Sequence, residues 1–254
     1  MIALATLNRW TAAALHLGIS ALIAAVVVTV MLALWYPQPY FDAMGGMGLL
    51  KILIGVDVAI GPLLTLVIFD TRKKSLRFDL SVIALLQIAA LVYGVYIMFE
   101  ARPVYTVFVK DRFEVVPADK LDPADLAEGP VEYRTLPLTG PRLVGVRFPD
   151  QSNAEEWNKL VFSGVAGKDI QNFPKYYIPY ADTKAQVLAK ALPLTALLKD
   201  HPEREALVRT AVAKSGSPQD ALGYVPLMGR ERAMTAVIAR SDAHIVGVLP
   251  IDPY

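Results

Sequence analysis

The chain has 254 residues, 54% of them hydrophobic, with no cysteine and a mean hydropathy of +0.41. Its 25 Lys and Arg nearly balance 24 Asp and Glu, and residues 101–254 carry 19 of each sign, so no basic field is available to attract nucleic acid. The lack of cysteine excludes disulfides and thiolate metal sites, and apolar residues crowded into the first hundred positions point to a membrane part followed by one soluble domain.

Three apolar runs reach the ~20 residues that a helix needs to cross ~30 Å of hydrocarbon. They lie at about 11–35, 48–69 and 80–99, within a three-helix domain assigned to 1–100. The first is too long for the 7–15-residue apolar core of a signal peptide. It ends in Trp35-Tyr36-Pro37, an interfacial aromatic anchor and a helix stop, and is read as a retained span. The short loops set the orientation. Residues 70–79 carry Arg72, Lys73, Lys74 and Arg77, whereas 36–47 carry no Lys or Arg. By the positive-inside rule the second loop is cytoplasmic, Arg9 places the N-terminus inside, and residues 101–254 lie outside. In a bacterium this is an inner-membrane protein with a periplasmic C-terminal domain.

After Glu100 the pattern changes to alternation. Val104–Val109 and Phe113–Val116 around Lys110-Asp111-Arg112 predict a β-hairpin, and Leu143–Phe148 a further strand. Ser152-Asn153-Ala154-Glu155 has the form of a capping box, opening a helix to about Val165. QNFPKYYIPY, 171–180, reads as a proline-broken packed loop. Helices follow at about 182–199, bent or ended by Pro193, and at 202–214, the latter capped by Asp200 or His201. A second hairpin pairs Ala233–Ala239 with His244–Leu249. The expected fold class is three transmembrane α-helices followed by a periplasmic α+β domain, 101–254, with a small, mostly antiparallel sheet.

Catalytic motifs are missing from the sequence. The three histidines, His16, His201 and His244, show no metal-ligand spacing; HPERE at 201–205 is not H-E-x-x-H, and GVAGKD at 164–169 is not a P-loop. No G-x-S-x-G elbow occurs. Neither an enzyme, a cofactor, a metal nor a small-molecule substrate is expected.

The polar residues inside the spans carry more information. His16 and Thr65 fall ~6–8 Å from the cytoplasmic face, Gln87 ~10 Å, Ser20 ~13 Å and Asp57 ~18 Å, at 1.5 Å per residue. They form one polar seam if those faces turn inward. A mid-bilayer carboxylate costs roughly 2.5–3.5 kcal/mol on the insertion scale, so Asp57 is a functional hypothesis by default. It is either protonated and bonded to Gln87, or charged and awaiting a cationic partner; His16, Ser20 and Gln87 also suit plain inter-helix hydrogen bonding. Gly55 and Gly61 permit close backbone approach, and Gly61-Pro62 loosens the helix by displacing the carbonyl of Val58.

The runs HLGISALI, WYPQPYF, GVDVAIGPLLTLVIF and RFDLSVIALLQIAALVYGVY together resemble the TfpX/TfpZ family of type IV pilin accessory proteins. The resemblance covers about the first hundred residues and the VYTVFVKDRFEVV hairpin. It implies a chaperone-like inner-membrane factor that binds the type IV pilin and supports or modulates pilus assembly without catalysis. On that reading the pilin brings a long apolar helix with an internal glutamate and a positively charged processed amino terminus. Asp57 would accept from a cationic or N–H group, and Gln87 would donate to a carboxylate, with membrane lipid around them. Phe173, Tyr176, Tyr177 and Tyr180 are the candidate surface for the pilin head, or else a core loop. The competing expectation is a periplasmic sensor or receptor on a three-span anchor, for which the ten-residue cytoplasmic loop leaves little room for output.

Overall fold

A computed structural model describes residues 8–254. The chain forms two compact units. One comprises the chain up to Leu34 together with Gly46–Glu100; the other comprises Trp35–Gly45 together with Ala101–Tyr254. The sequence reading treats 36–47 as a bare connection between spans. Its first part belongs instead to the soluble unit.

Among the described residues the first unit has three helices long and apolar enough to cross a membrane: Arg9–Leu34, Gly46–Ile68 and Leu76–Glu100. The first opens on a reciprocal cap, in which Asn8 Oδ1 accepts from the Thr11 N–H at 2.8 Å and Thr11 Oγ1 accepts from the Asn8 N–H at 3.0 Å. The third starts a turn earlier than its hydropathy suggests. Asp79 in its first turn suits the positive end of the helix dipole and is bridged by Lys73 at 2.5 Å. The first and third helices both pack on the second, and far less on each other. The buried residues of the first helix are Met31 and, at multiples of four, the small Ala12, Ser20 and Ala24, which let backbones approach.

The second unit is an α+β domain on a mixed sheet of eight strands: β1 (Pro103–Val109), β2 (Arg112–Pro117), β3 (Arg142–Val146), β4 (Tyr177–Pro179), β5 (Leu192–Pro193), β6 (Leu222–Met228), β7 (Ala233–Ala239) and β8 (Ile245–Leu249). The order is β4-β3-β1-β2-β6-β7-β8, with β5 paired to β6. Five of the neighbour pairs are antiparallel; β1 with β3 and β2 with β6 are parallel. Both expected hairpins are present, β1–β2 turning at Lys110 (φ 56°) and β7–β8 closing the far edge.

The strand that joins them, β6, escapes the sequence reading. LGYVPLM is buried almost throughout, so it does not alternate, and it contains Gly223 and Pro226, residue types depleted in strands. Pro226 falls between Gly223 and Tyr224, which pair with β5, and Leu227 and Met228, which pair with β2. A proline is tolerated at such a break between ladders. One apolar core gathers around β1, β3 and β4, with Tyr105, Val144 and Tyr177; a second gathers around β6–β8, with Leu197, Val208 and Val237.

Three expectations are adjusted at their edges. Asn153, not Ser152, caps the helix Ala154–Val165, its Oδ1 accepting from the Glu156 N–H at 3.1 Å. Pro193 splits the expected 182–199 helix into Lys184–Lys190 and Leu194–Asp200, with β5 between. The expected 202–214 helix opens as a 3-10 turn, Pro202–Arg204, with His201 at its N-cap position but no side-chain cap bond, and continues as the α-helix Glu205–Ser215. Residues 35–45 dock through backbone: the Ala43 carbonyl accepts from the N–H groups of Glu231 (3.1 Å) and Arg232 (3.4 Å). Thr106 Oγ1 donates to the Tyr40 hydroxyl at 3.0 Å, and Tyr36 and Phe41 are buried edge-on at 6.2 Å. A Cβ on Gly229 would lie 2.3 Å from the Ala43 oxygen, so glycine is required for this approach.

Candidate functional site

The second membrane helix carries an internal irregularity. Between Gly55 and Ile60 its ladder widens from i→i−4 to i→i−5, and the Gly61 N–H reaches back to the Val56 carbonyl. In that register the carbonyl of Asp57 is due a hydrogen bond from residue 62. Residue 62 is proline and has no N–H. The side chain of Gln87 on the third helix supplies the missing donor, its Nε2 lying 3.1 Å from the Asp57 carbonyl oxygen. The amide comes that close because residue 61 has no side chain: a Cβ there would sit 2.0 Å from Nε2. Gly61, Pro62 and Gln87 are therefore one device, which keeps a π-turn satisfied at the middle of a span.

This corrects the sequence reading on three points. The carbonyl displaced by Pro62 is that of Asp57, not Val58, because the ladder is one residue wider. Gln87 bonds the backbone of Asp57 and not its carboxyl. Gly55 opens the π-turn, but a Cβ on it would meet nothing within 4 Å, so close packing is not its role.

The Asp57 side chain is 7% exposed, and its Oδ1 is buried without a hydrogen-bond partner. A buried acceptor left unmade costs roughly 1–3 kcal/mol. Two turns along, His16 Nδ1 and Thr65 Oγ1 share a hydrogen bond of 2.6 Å across the first and second helices. Ser20 is buried one turn beyond His16. All five of these residues line one groove between the first and third helices, floored by the second. It consists of two cavities, of about 190 Å³ around Asp57 and Gln87 and about 320 Å³ around His16 and Thr65, which share His16, Ile19 and Ala84. The walls are otherwise apolar.

A second groove, about 350 Å³, lies between the second and third helices and is lined by aliphatic residues and Tyr93. There Gly94 admits Leu53: a Cβ on it would lie 2.4 Å from Leu53 Cδ1. The sequence reading passes over Gly94, whose only signal is a glycine inside a long apolar helix.

The aromatic surface expected in the soluble domain is not a free surface. Tyr177 is buried, its ring edge-on to Tyr105 and Tyr133 at 5.0 and 5.7 Å, and its hydroxyl donates to the Gln171 carbonyl at 2.5 Å. Burial pushes that phenol well above its ordinary pKa. Tyr180 is half-buried and donates to the Ala243 carbonyl at 2.6 Å, with burial first and Asp242 second raising its pKa to about 12. Tyr176 donates to Glu156 at 2.8 Å, and Phe173 lies 5.0 Å from the Lys168 ammonium. The proline-broken segment ties β3, the helix Ala154–Val165 and the β7–β8 turn together. Exposed apolar surface lies instead on that helix, where Val161, Phe162 and Val165 face outward and no residue is buried. Its spacing of i, i+1 and i+4 was the available signal.

Comparison with known proteins adds ancestry. Residues 5–45, the first helix and the docked segment, match the family described as Fimbrial assembly protein FimB. The chain is 30% identical to the fimbrial assembly protein of serogroup I from Dichelobacter nodosus, over 94% of both chains. It is 28% identical to the serogroup E1 protein of that organism, again over 94% of both. With the protein of serogroups C1 and C2 the identity is 36% over 104 residues, 40% of this chain and 79% of the relative. No solved structure matches the chain.

Proposed function

The chain belongs to the fimbrial assembly protein family, and on that premise we propose that it is an inner-membrane factor that binds the type IV fimbrial subunit, the pilin, and holds it for assembly without changing it covalently. The observation that carries this reading is the relationship to the serogroup I protein along 94% of both chains, which takes in the membrane helices and the soluble domain together. The family shown is that of the fimbrial assembly proteins; the narrower resemblance to TfpX/TfpZ accessory proteins supports the same role at the level of type IV pili. The bias of Arg72, Lys73, Lys74 and Arg77 against a first loop without Lys or Arg supports a cytoplasmic second loop and a periplasmic C-terminal domain.

The test is deletion and capture. A strain lacking the protein is expected to display few or no fimbriae, and the tagged full-length chain to co-purify the pilin from solubilised membranes. Wild-type fimbriation together with absence of pilin from the purified material would sink the reading. The cysteine-free background makes the orientation directly measurable: Val131→Cys is expected to react in intact spheroplasts with a membrane-impermeant maleimide, and Lys74→Cys only after lysis.

A further inference from the structure

The groove between the first and third membrane helices poses a question that the family relationship leaves open. The structure has spent a glycine and a glutamine on satisfying the backbone carbonyl of Asp57, which Pro62 leaves without a main-chain donor at the middle of the second span. It leaves Oδ1 of the same residue's carboxyl buried without a hydrogen-bond partner. A protein that needed only a π-turn there would do as well with leucine at position 57, avoiding the roughly 2.5–3.5 kcal/mol of placing an acid at mid-bilayer. No Lys or Arg of the spans lies level with Asp57. Lys51 is six residues away on the same helix, about 9 Å along the axis at 1.5 Å per residue. None of the described residues supplies a hydrogen-bond partner for Oδ1.

We infer that this groove is the docking site for one transmembrane helix of the fimbrial subunit, a helix that carries a positively charged amine or similar N–H donor at the level of Asp57. The inference rests on the proposed function for the identity of the helix, and on the groove for its position. Three features fit a helix better than a small molecule. The groove runs from Ala12 to Ile23 on the first helix, about three helical turns. Its rims, Leu15, Ile19 and Ile88 among them, are exposed aliphatic side chains, and an entering helix reaches it sideways from the bilayer. Its polar groups lie at two levels, His16 with Thr65 and then Asp57, as an extended partner would read them. The carboxyl turns easily about its Cβ–Cγ bond, so its orphaned oxygen reaches a donor delivered into the cavity. Capture that rests mainly on one charged hydrogen bond in apolar surroundings is strong enough to select a helix and weak enough to release it to the growing fibre.

Photocrosslinking of the full-length chain in fimbriate cells tests this. With a benzophenone amino acid at Ile23 or Leu91, inside the groove, adducts to the pilin's membrane helix are expected. At Ile52 or Val67, outside it, none are. Asp57→Asn, which keeps the shape, is expected to lower the groove adducts roughly tenfold, as loss of a charged hydrogen bond does. Asp57→Glu is expected to restore most of the yield, with immunoblots showing equal amounts of each variant. Adducts only to lipid, to a second copy of this chain or to another protein would overturn the inference. So would pilin adducts of undiminished yield in Asp57→Asn. If the pilin co-purifies but never crosslinks from the groove, the docking site is wrong while the assembly role stands; if it does not co-purify at all, the role itself falls.

Discussion

The two units of this protein differ in what they leave exposed and in which polar residues they cover. In the soluble domain Tyr105, Phe108, Phe113, Leu197 and Ile238 are among the largest fully buried side chains, and of its charged residues only Arg102 is buried. In the membrane unit Leu22, Leu63, Val67 and Leu85 are exposed, while Ser20, Asp57, Thr65 and Gly61 are covered. The reason lies in the solvent. Water expels apolar surface, so the domain gains from every buried methyl group; lipid is as apolar as leucine, so the helices gain only from close packing and from polar groups that find partners. In the second unit an exposed leucine is therefore informative, and in the first a buried aspartate is.

The largest expected effect breaks this contrast directly. Phe113→Ala removes a fully buried ring that sits 5.5 Å from Phe108 and is expected to cost about 3–5 kcal/mol. Leu22→Ala on the lipid-facing side of the first helix is expected to cost well under about 1 kcal/mol. Thermal unfolding of the full chain in detergent, with proteolysis of the domain as a second readout, measures both. Equal losses would show that the two units obey one rule.

A smaller effect sharpens it. Gly61→Ala drives the Gln87 amide away, and Gln87→Leu removes it; each is expected to cost about 1–2 kcal/mol, because each orphans the Asp57 carbonyl. The double variant is expected to cost little more than either one, since both lose the same hydrogen bond. Gly55→Ala, with open space at its Cβ, is the neutral control. Full additivity in a double-mutant cycle would show that the π-turn and Gln87 are independent. The smallest effect is at the other end of the groove. Thr65→Val loses only the 2.6 Å bond to His16, and about 0.6 kcal/mol is expected from inter-helix bonds of this kind. A loss several times larger would mean that His16 serves the fold as more than a local tie.

The sequence alone determined whatever depends on neighbouring residues. The three spans, the charge asymmetry of their loops, the two hairpins and the place of Asp57 at mid-span are all consequences of local periodicity, and the structure moves them by a turn at most. Residues that act through distant partners were not legible in that way. Gln87 is thirty positions from Asp57, and nothing in either segment says that the amide takes the carbonyl and leaves the carboxyl alone. β6 hides because a strand covered on both faces does not alternate, and Tyr177 passes for surface because an aromatic reads the same in a core loop and in an interface. The segment 35–45 joins the domain through the backbone of Ala43, and a backbone carbonyl has no signature in the sequence. Solvent selects which residues form an element, and the one-dimensional pattern records it. Which polar groups are satisfied, and which one is left over, is decided only when the helices and strands meet.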